Sequence, residues 1–117
     1  MSIAYRALAL QTTCHAVNGY DNNDDARARI ADNIAIVGRQ IRASKAFIGP
    51  DLKLVVLPEY FATSYPLGDT IPGWAAKGSF AMNGAEYEQL GRIAQDNGVY
   101  VVSNAYERDP NFPGQYF

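Results

Sequence analysis

The alternation of apolar and polar positions near the start of the chain predicts a β-strand over Tyr5–Thr13. Leu8, Leu10 and Thr12 would share one face of it, because successive side chains of a strand point to opposite faces. A long amphipathic helix is predicted next, over Asp24–Phe47. Apolar residues recur there at helical spacing and form one stripe, made of Ala26, Ile30, Ile34, Val37 and Ile41.

The second predicted strand, Lys53–Pro58, is an apolar run that does not alternate. Such a run is typical of a central strand that is covered on both faces. Because Pro58 has no N–H to donate, it ends the ladder, and Glu59 leaves the sheet at the carboxyl edge of the strand. Layered α/β folds build their sites at that edge. Glu59 is therefore the first candidate for a functional residue.

Three further elements are predicted in the second half of the chain, namely a long ordered loop (62–82), a helix (83–96) and a third strand (99–107). Asn83 and Glu86 have the spacing of a capping box at the start of the helix, and Asn97-Gly98 would end it. Residues 108–114 are typical of a turn, and Gln115–Phe117 would begin the second arm of a hairpin.

The order β-α-β-loop-α-β indicates an α/β layered domain. A dinucleotide-binding fold is disfavoured, because the turn over Thr12–Tyr20 holds one glycine and no phosphate cradle. A hairpin with only the first residues of its second arm leaves the third strand with an unpaired edge. We therefore expect these 117 residues to be part of a longer domain.

Composition excludes several classes of function. With 48% hydrophobic and 19% charged residues and a net charge of −2, the chain resembles an ordinary globular protein, without a basic patch for nucleic acid. No apolar run has the length of a membrane span, and Arg6 and Gln11 interrupt any signal-peptide pattern. We expect a cytoplasmic protein with no nucleic-acid or membrane partner.

Cys14 and His15 are neighbours in the sequence and suggest a Cys–His pair. Their side chains would point to opposite faces if the first strand continued through them. A single cysteine excludes an internal disulfide, and one cysteine with one histidine gives no metal-ligand spacing. We expect no metal, no cofactor, and a Cys14 that serves as a small apolar residue rather than as a nucleophile.

Leu54–Leu57 running into Pro58-Glu59-Tyr60, after a first strand and a long capped helix, resembles the nitrilase superfamily of carbon–nitrogen hydrolases. A helix ending at Ala94–Gly98 and leading into Val99–Val102 continues the same order of elements. The resemblance covers nearly the whole chain but only the amino-terminal part of the family's domain. It implies an α/β fold, the amino-terminal part of a four-layer α-β-β-α sandwich.

The resemblance also implies hydrolysis of amide, nitrile or carbamoyl carbon–nitrogen bonds by a Glu-Lys-Cys catalytic set. Glu59 matches the glutamate that acts as general base toward the cysteine, and Tyr60 would line the substrate pocket. Cys14 and the lysines of this chain do not match the other two positions. Residues 1–117 would then form a partial domain that ends before the catalytic lysine and cysteine, inactive alone, within a homo-oligomeric amidase- or nitrilase-type enzyme acting on a small molecule.

A second hypothesis stays open at this point. The chain could be a non-catalytic α/β module that uses exposed strand edges and apolar faces for association. That hypothesis requires no role for Glu59 and no catalytic partner residues.

Overall fold

The computed structural model describes residues 3–117 and contains two parallel sheets with three helices. The elements are, in order, β1 (Arg6–Ala9), α1 (Asn23–Ile48), β2 (Leu52–Val56), α2 (Ile71–Gly78), β3 (Phe80–Ala81), α3 (Ala85–Asn97), β4 (Tyr100–Val102) and β5 (Glu107–Arg108). The main sheet has the strand order β1-β2-β4, and β3 pairs with β5 in a smaller sheet. The predicted α/β class is confirmed.

Strand β2 is the centre of the main sheet, since it pairs with β1 on one side and β4 on the other. Val55 lies opposite Leu8 in β1 and Val101 in β4, so these three side chains share one face. The connections from β1 to β2 and from β2 to β4 step across the sheet in the same direction. Because such connections are right-handed, α1 and α3 lie on the same face of the sheet. The two helices pack against each other there.

The helix α1 confirms the predicted stripe and both of its ends. Every residue of the stripe has at most 1% of its surface exposed. Asn22 caps the helix by accepting hydrogen bonds from the backbone N–H groups of Asp24 and Asp25. Gly49, at a φ of 115°, ends it, because that left-handed region is disfavoured for residues with a side chain.

The predicted loop over 62–82 is wrong in its middle, where α2 and β3 form. Thr70 caps α2 by accepting a hydrogen bond from the N–H of Gly73. Pro72 lies in the first turn, where a backbone N–H would have no partner within the helix, so the missing N–H of proline costs no hydrogen bond. Trp74 is fully buried and packs edge-on against Tyr106, with ring centroids 5.7 Å apart. Burial of this large ring orders the segment.

Several predicted ends also differ from the structure. The first strand ends at Ala9 rather than Thr13, and the predicted third strand divides into β4 and β5. Asn83 does not cap α3, whose N-cap is Gly84 without a side-chain hydrogen bond. The αL ending at Gly98 is confirmed, with a φ of 59°. Glu107 and Phe117 exchange backbone hydrogen bonds of 2.9 and 2.8 Å, the antiparallel pairing predicted for a second hairpin arm.

A cluster of polar contacts joins the helices to the small sheet. The Arg27 guanidinium in α1 donates to the carbonyl of Ala76 at the end of α2 and pairs with Glu86 of α3 at 3.0 Å. Glu86 therefore serves a tertiary ion pair rather than a capping box. The Tyr87 hydroxyl donates to Glu107 at 2.7 Å, and burial, helped by this bond, raises the pKa of Tyr87 to about 12.

The two faces of the main sheet differ in their cover. We predicted cover on both faces of β2, but within residues 3–117 only the face toward α1 and α3 is covered. The opposite face presents the small side chains of Ala7 and Ala9 and exposes Val56 at 39%, Tyr100 at 77% and Val102 at 48%. No helix in these residues has the length and apolar character needed to cross a membrane.

This uncovered apolar face predicts that the 117-residue chain associates with itself at high concentration. Replacing Val56 and Val102 together with threonine keeps the β-branched shape and makes the face more polar, and we expect weaker association in sedimentation velocity. The matched control is Phe47→Ser, which removes an isolated ring that is 93% exposed at the end of α1 and should leave association unchanged. A chain that stays monomeric at all concentrations would contradict this expectation.

Candidate active site at the carboxyl edge of the sheet

The central strand ends as the sequence predicts. The last backbone hydrogen bonds along it run from Leu57 N to Val102 O at 2.8 Å and from Leu10 N to Val56 O at 2.9 Å. Pro58 follows, and the chain turns away from the sheet over residues 59–63. Glu59 is exposed at the start of that turn, at the carboxyl edge of β2. Its carboxylate makes no hydrogen bond or ion pair with any other residue of 3–117.

The next residue, Tyr60, has a left-handed backbone with a φ of 58°. This conformation costs a residue with a side chain about 1–2 kcal/mol, so the surroundings must impose it. The Tyr60 N–H donates to Oδ1 of Asn104 at 3.1 Å, and its carbonyl accepts from the Cys14 thiol at 3.0 Å. Its ring stacks on Tyr106 with centroids 5.6 Å apart and planes 8° apart. These contacts reach Tyr60 from two other segments of the chain.

A buried amide in α1 also holds the turn over residues 59–63. Asn33 is 3% exposed, and its Nδ2 donates to the carbonyls of His15 at 2.9 Å and Ala62 at 2.8 Å. One side chain thereby joins the loop after β1 to the loop after β2. The Oδ1 of Asn33 is buried with no hydrogen-bond partner in residues 3–117. Asn33 therefore holds the two loops through the two bonds that its Nδ2 donates.

An ion pair ties the same two loops together further out. Lys77 of α2 is 8% exposed, and its Nζ lies 2.9 Å from Asp69 and donates to the carbonyl of Asn18 at 3.3 Å. The Nδ2 of Asn18 in turn donates to the carbonyl of Tyr65 at 2.6 Å. The segments that flank Glu59 are therefore fixed at several points.

A cavity of about 210 Å³ lies beside the Tyr60 turn. Its wall is mostly aromatic and aliphatic, contributed by Tyr60, Ala62, Phe80, Ala105, Tyr106 and Phe117. Burial raises the pKa of Tyr106 well above its ordinary value, and the Tyr60 hydroxyl and then the charges of Tyr116 and Glu59 raise it further. The phenol of Tyr106 therefore stays neutral at physiological pH.

The structure brings the two predicted site residues together with two that sequence reasoning missed, Asn104 and Tyr106. Both follow β4, and the carboxyl ends of parallel strands meet at one edge of a sheet, so the position after the third strand was the available signal. Cys14 was expected to be apolar packing, but it is exposed, and its thiol contacts the Glu59 turn. Residues 3–117 contain no group of three His, Cys, Asp or Glu side chains placed to hold a metal.

The comparison with protein families gives one match. A family model described as carbon-nitrogen hydrolase matches residues 10–116, which is most of the chain and includes Glu59, Tyr60, Asn104 and Tyr106. A search of curated proteins finds no match.

The double hydrogen bond from Asn33 predicts a stability effect. Asn33→Leu keeps the branching of the side chain but leaves the carbonyls of His15 and Ala62 without their donor, and we expect a loss of about 2 kcal/mol in the free energy of unfolding, measured with a chemical denaturant. The matched control, Gln89→Leu, removes an exposed amide that donates to Ala31 and should change stability by less than about 0.5 kcal/mol. Equal stability of the two variants would contradict the role of Asn33.

The contact between Asn104 and Tyr60 predicts an effect on hydrogen exchange. Asn104→Leu removes the acceptor, a loss of about 1 kcal/mol, so the Tyr60 amide should exchange about fivefold faster. Asn104→Asp keeps an acceptor oxygen of the same reach and should preserve the protection. Residue-resolved exchange by NMR distinguishes these results, and unchanged exchange in Asn104→Leu would show that the bond does not hold the turn.

Proposed function

Because this chain belongs to the carbon-nitrogen hydrolase family, we propose that the protein that carries it hydrolyses non-peptide carbon–nitrogen bonds of amides, nitriles or carbamoyl compounds, with Glu59 as the general base. The observation that carries the assignment is the position of Glu59. It is an unpaired carboxylate at the carboxyl edge of the central strand, followed by a left-handed turn that is held from two neighbouring segments. Small-molecule substrates and a homo-oligomeric state are parts of this proposal.

The unpaired state of Glu59 supports a chemical role over a structural one. The carboxylates of Glu86 and Asp69, by contrast, are committed to ion pairs with Arg27 and Lys77. A general base must instead keep its oxygens free to accept a proton. The strained backbone at Tyr60 supports the same interpretation, because such strain concentrates at sites where orientation matters.

The proposed reaction begins when Glu59 takes the proton of a cysteine thiol, because the thiol itself is a poor nucleophile. The thiolate attacks the carbonyl carbon of an amide, and a lysine stabilises the negative charge that develops on the oxygen of the tetrahedral intermediate. Attack on a nitrile carbon gives a planar thioimidate instead, whose nitrogen takes the proton from Glu59. For an amide, the protonated Glu59 then returns its proton to the leaving nitrogen, and ammonia departs. Glu59 next takes a proton from water, which attacks the thioester, and the acid leaves as the thiol is restored.

The cysteine and the lysine of this set are positions for which this chain offers no match. Cys14 lies in the loop after β1, and its thiol is committed to the Tyr60 carbonyl. Lys77 is committed to its ion pair with Asp69. The proposal therefore concerns a protein that contains these residues together with a nucleophilic cysteine and a catalytic lysine.

A non-catalytic association module is the second candidate, and the uncovered apolar face of the main sheet favours it. An association module needs that face but has no use for a free carboxylate at position 59. Loss of the carboxylate at position 59 therefore separates the two candidates.

In the protein that combines this chain with the catalytic cysteine and lysine, Glu59→Gln keeps the shape and removes the base. We expect ammonia release to fall by about 10²–10⁴-fold, the usual contribution of a general base, with an unchanged thermal transition. The matched control is Glu88→Gln, which alters an exposed carboxylate paired with Arg92 on α3 and should leave the rate unchanged. A wild-type rate in Glu59→Gln would reject the assignment of the base.

A further inference from the structure

The cavity beside the Tyr60 turn carries no charge on its wall. Besides the four rings and two alanine methyl groups named above, its lining contains only the polar side chains of Thr63 and Asn104. The Thr63 hydroxyl donates to the carbonyl of Ser64 at 2.7 Å, and Oδ1 of Asn104 accepts from Tyr60. With Tyr106 a neutral phenol, the cavity offers a ligand mainly apolar contact.

The wall of this cavity is held in place by its own contacts. Tyr60 and Tyr106 stack on each other, and Tyr106 packs edge-on against both Trp74 and Tyr116. Phe117 is fixed through its two backbone hydrogen bonds to Glu107 and an edge contact with the ring of Phe112. A pocket that is formed in advance loses less free energy when a ligand is ordered in it.

The size of the cavity limits what it can hold. An apolar cavity of about 150 Å³ already accepts benzene. The 210 Å³ of this cavity therefore admits one six-membered ring or a branched chain of similar size. A charged group would lose its hydration there, and the lining residues offer it no partner of opposite charge.

We propose that this cavity receives the side chain of the substrate's acyl part and that this side chain is uncharged, apolar and about the size of one six-membered ring. The inference rests on the function proposed above, because it assigns the cavity to the substrate on which Glu59 acts. It narrows the substrates to amides or nitriles of small apolar acids.

The test measures binding and needs no turnover, so its failure is distinct from failure of the catalytic assignment. The 117-residue chain is titrated with phenylacetamide, acetamide, succinamate and β-alaninamide, with NMR resonances of Tyr60, Ala105 and Phe117 as reporters. We expect phenylacetamide to saturate these resonances and to bind at least about tenfold more tightly than the other three, since one methylene in an apolar pocket is already worth about tenfold. Equal or tighter binding of a charged amide, or no saturable binding of phenylacetamide, would overturn the proposal.

Two variants locate the site. Ala105→Leu fills the cavity and should weaken phenylacetamide binding at least about tenfold, whereas Ala43→Leu, an exposed change on α1, should not. Phe117→Ala removes a ring that is 67% exposed, so it spares the core, and it should also weaken binding. Unchanged affinity in Phe117→Ala and in a folded Ala105→Leu would place the ligand elsewhere and overturn the proposal. If phenylacetamide binds as expected but the Glu59→Gln variant is fully active, only the assignment of Glu59 as the base is rejected.

Discussion

The left-handed turn at Tyr60 is the constraint on which the geometry of this edge depends. The conformation is unfavourable by about 1–2 kcal/mol for a residue with a side chain. A hydrogen bond of about 1 kcal/mol from the N–H, a second bond at the carbonyl and a stacking contact of about 0.5–1.5 kcal/mol together outweigh that strain. Because these contacts come from the loops after β1 and β4, the direction in which Glu59 leaves the sheet depends on three strands being in register.

Helix α1 helps to hold these three strands in register. Its apolar stripe packs on one face of the sheet, and Asn33, on the same helix, reaches the loops that follow β1 and β2. A shift of the helix along the sheet would therefore disturb both the core and the turn. The cavity wall depends on the same arrangement, since Tyr60 comes from the turn and Tyr106 from the segment after β4.

The sequence alone was sufficient for features that depend on local periodicity and chain ends. The stripe of α1, its end within one residue of the predicted Phe47 and the exit of Glu59 after Pro58 were all predicted correctly. The helix α2 was missed because its glycines and prolines are typical of a loop, although this short helix begins with a Thr70 cap. The contact of Asn104 with Tyr60 joins residues 44 apart, and Glu86 leaves the capping box for Arg27 59 residues away. Such pairings depend on the tertiary arrangement and have no local signature. The cover on each face of β2 likewise depends on what packs there and not on the apolar run itself.

In the proposed function, a carboxylate held at one particular place beside the Tyr60 turn acts as the base. Its most direct test is the single-turnover rate of acyl-enzyme formation in Glu59→Asp, measured in the protein that contains the catalytic cysteine and lysine. This change keeps the charge and withdraws it by one methylene. We expect a loss of about a hundredfold in that rate with the affinity for phenylacetamide unchanged, because misplacement by about 1 Å is enough for such a loss. An acylation rate equal to that of the wild type would contradict it.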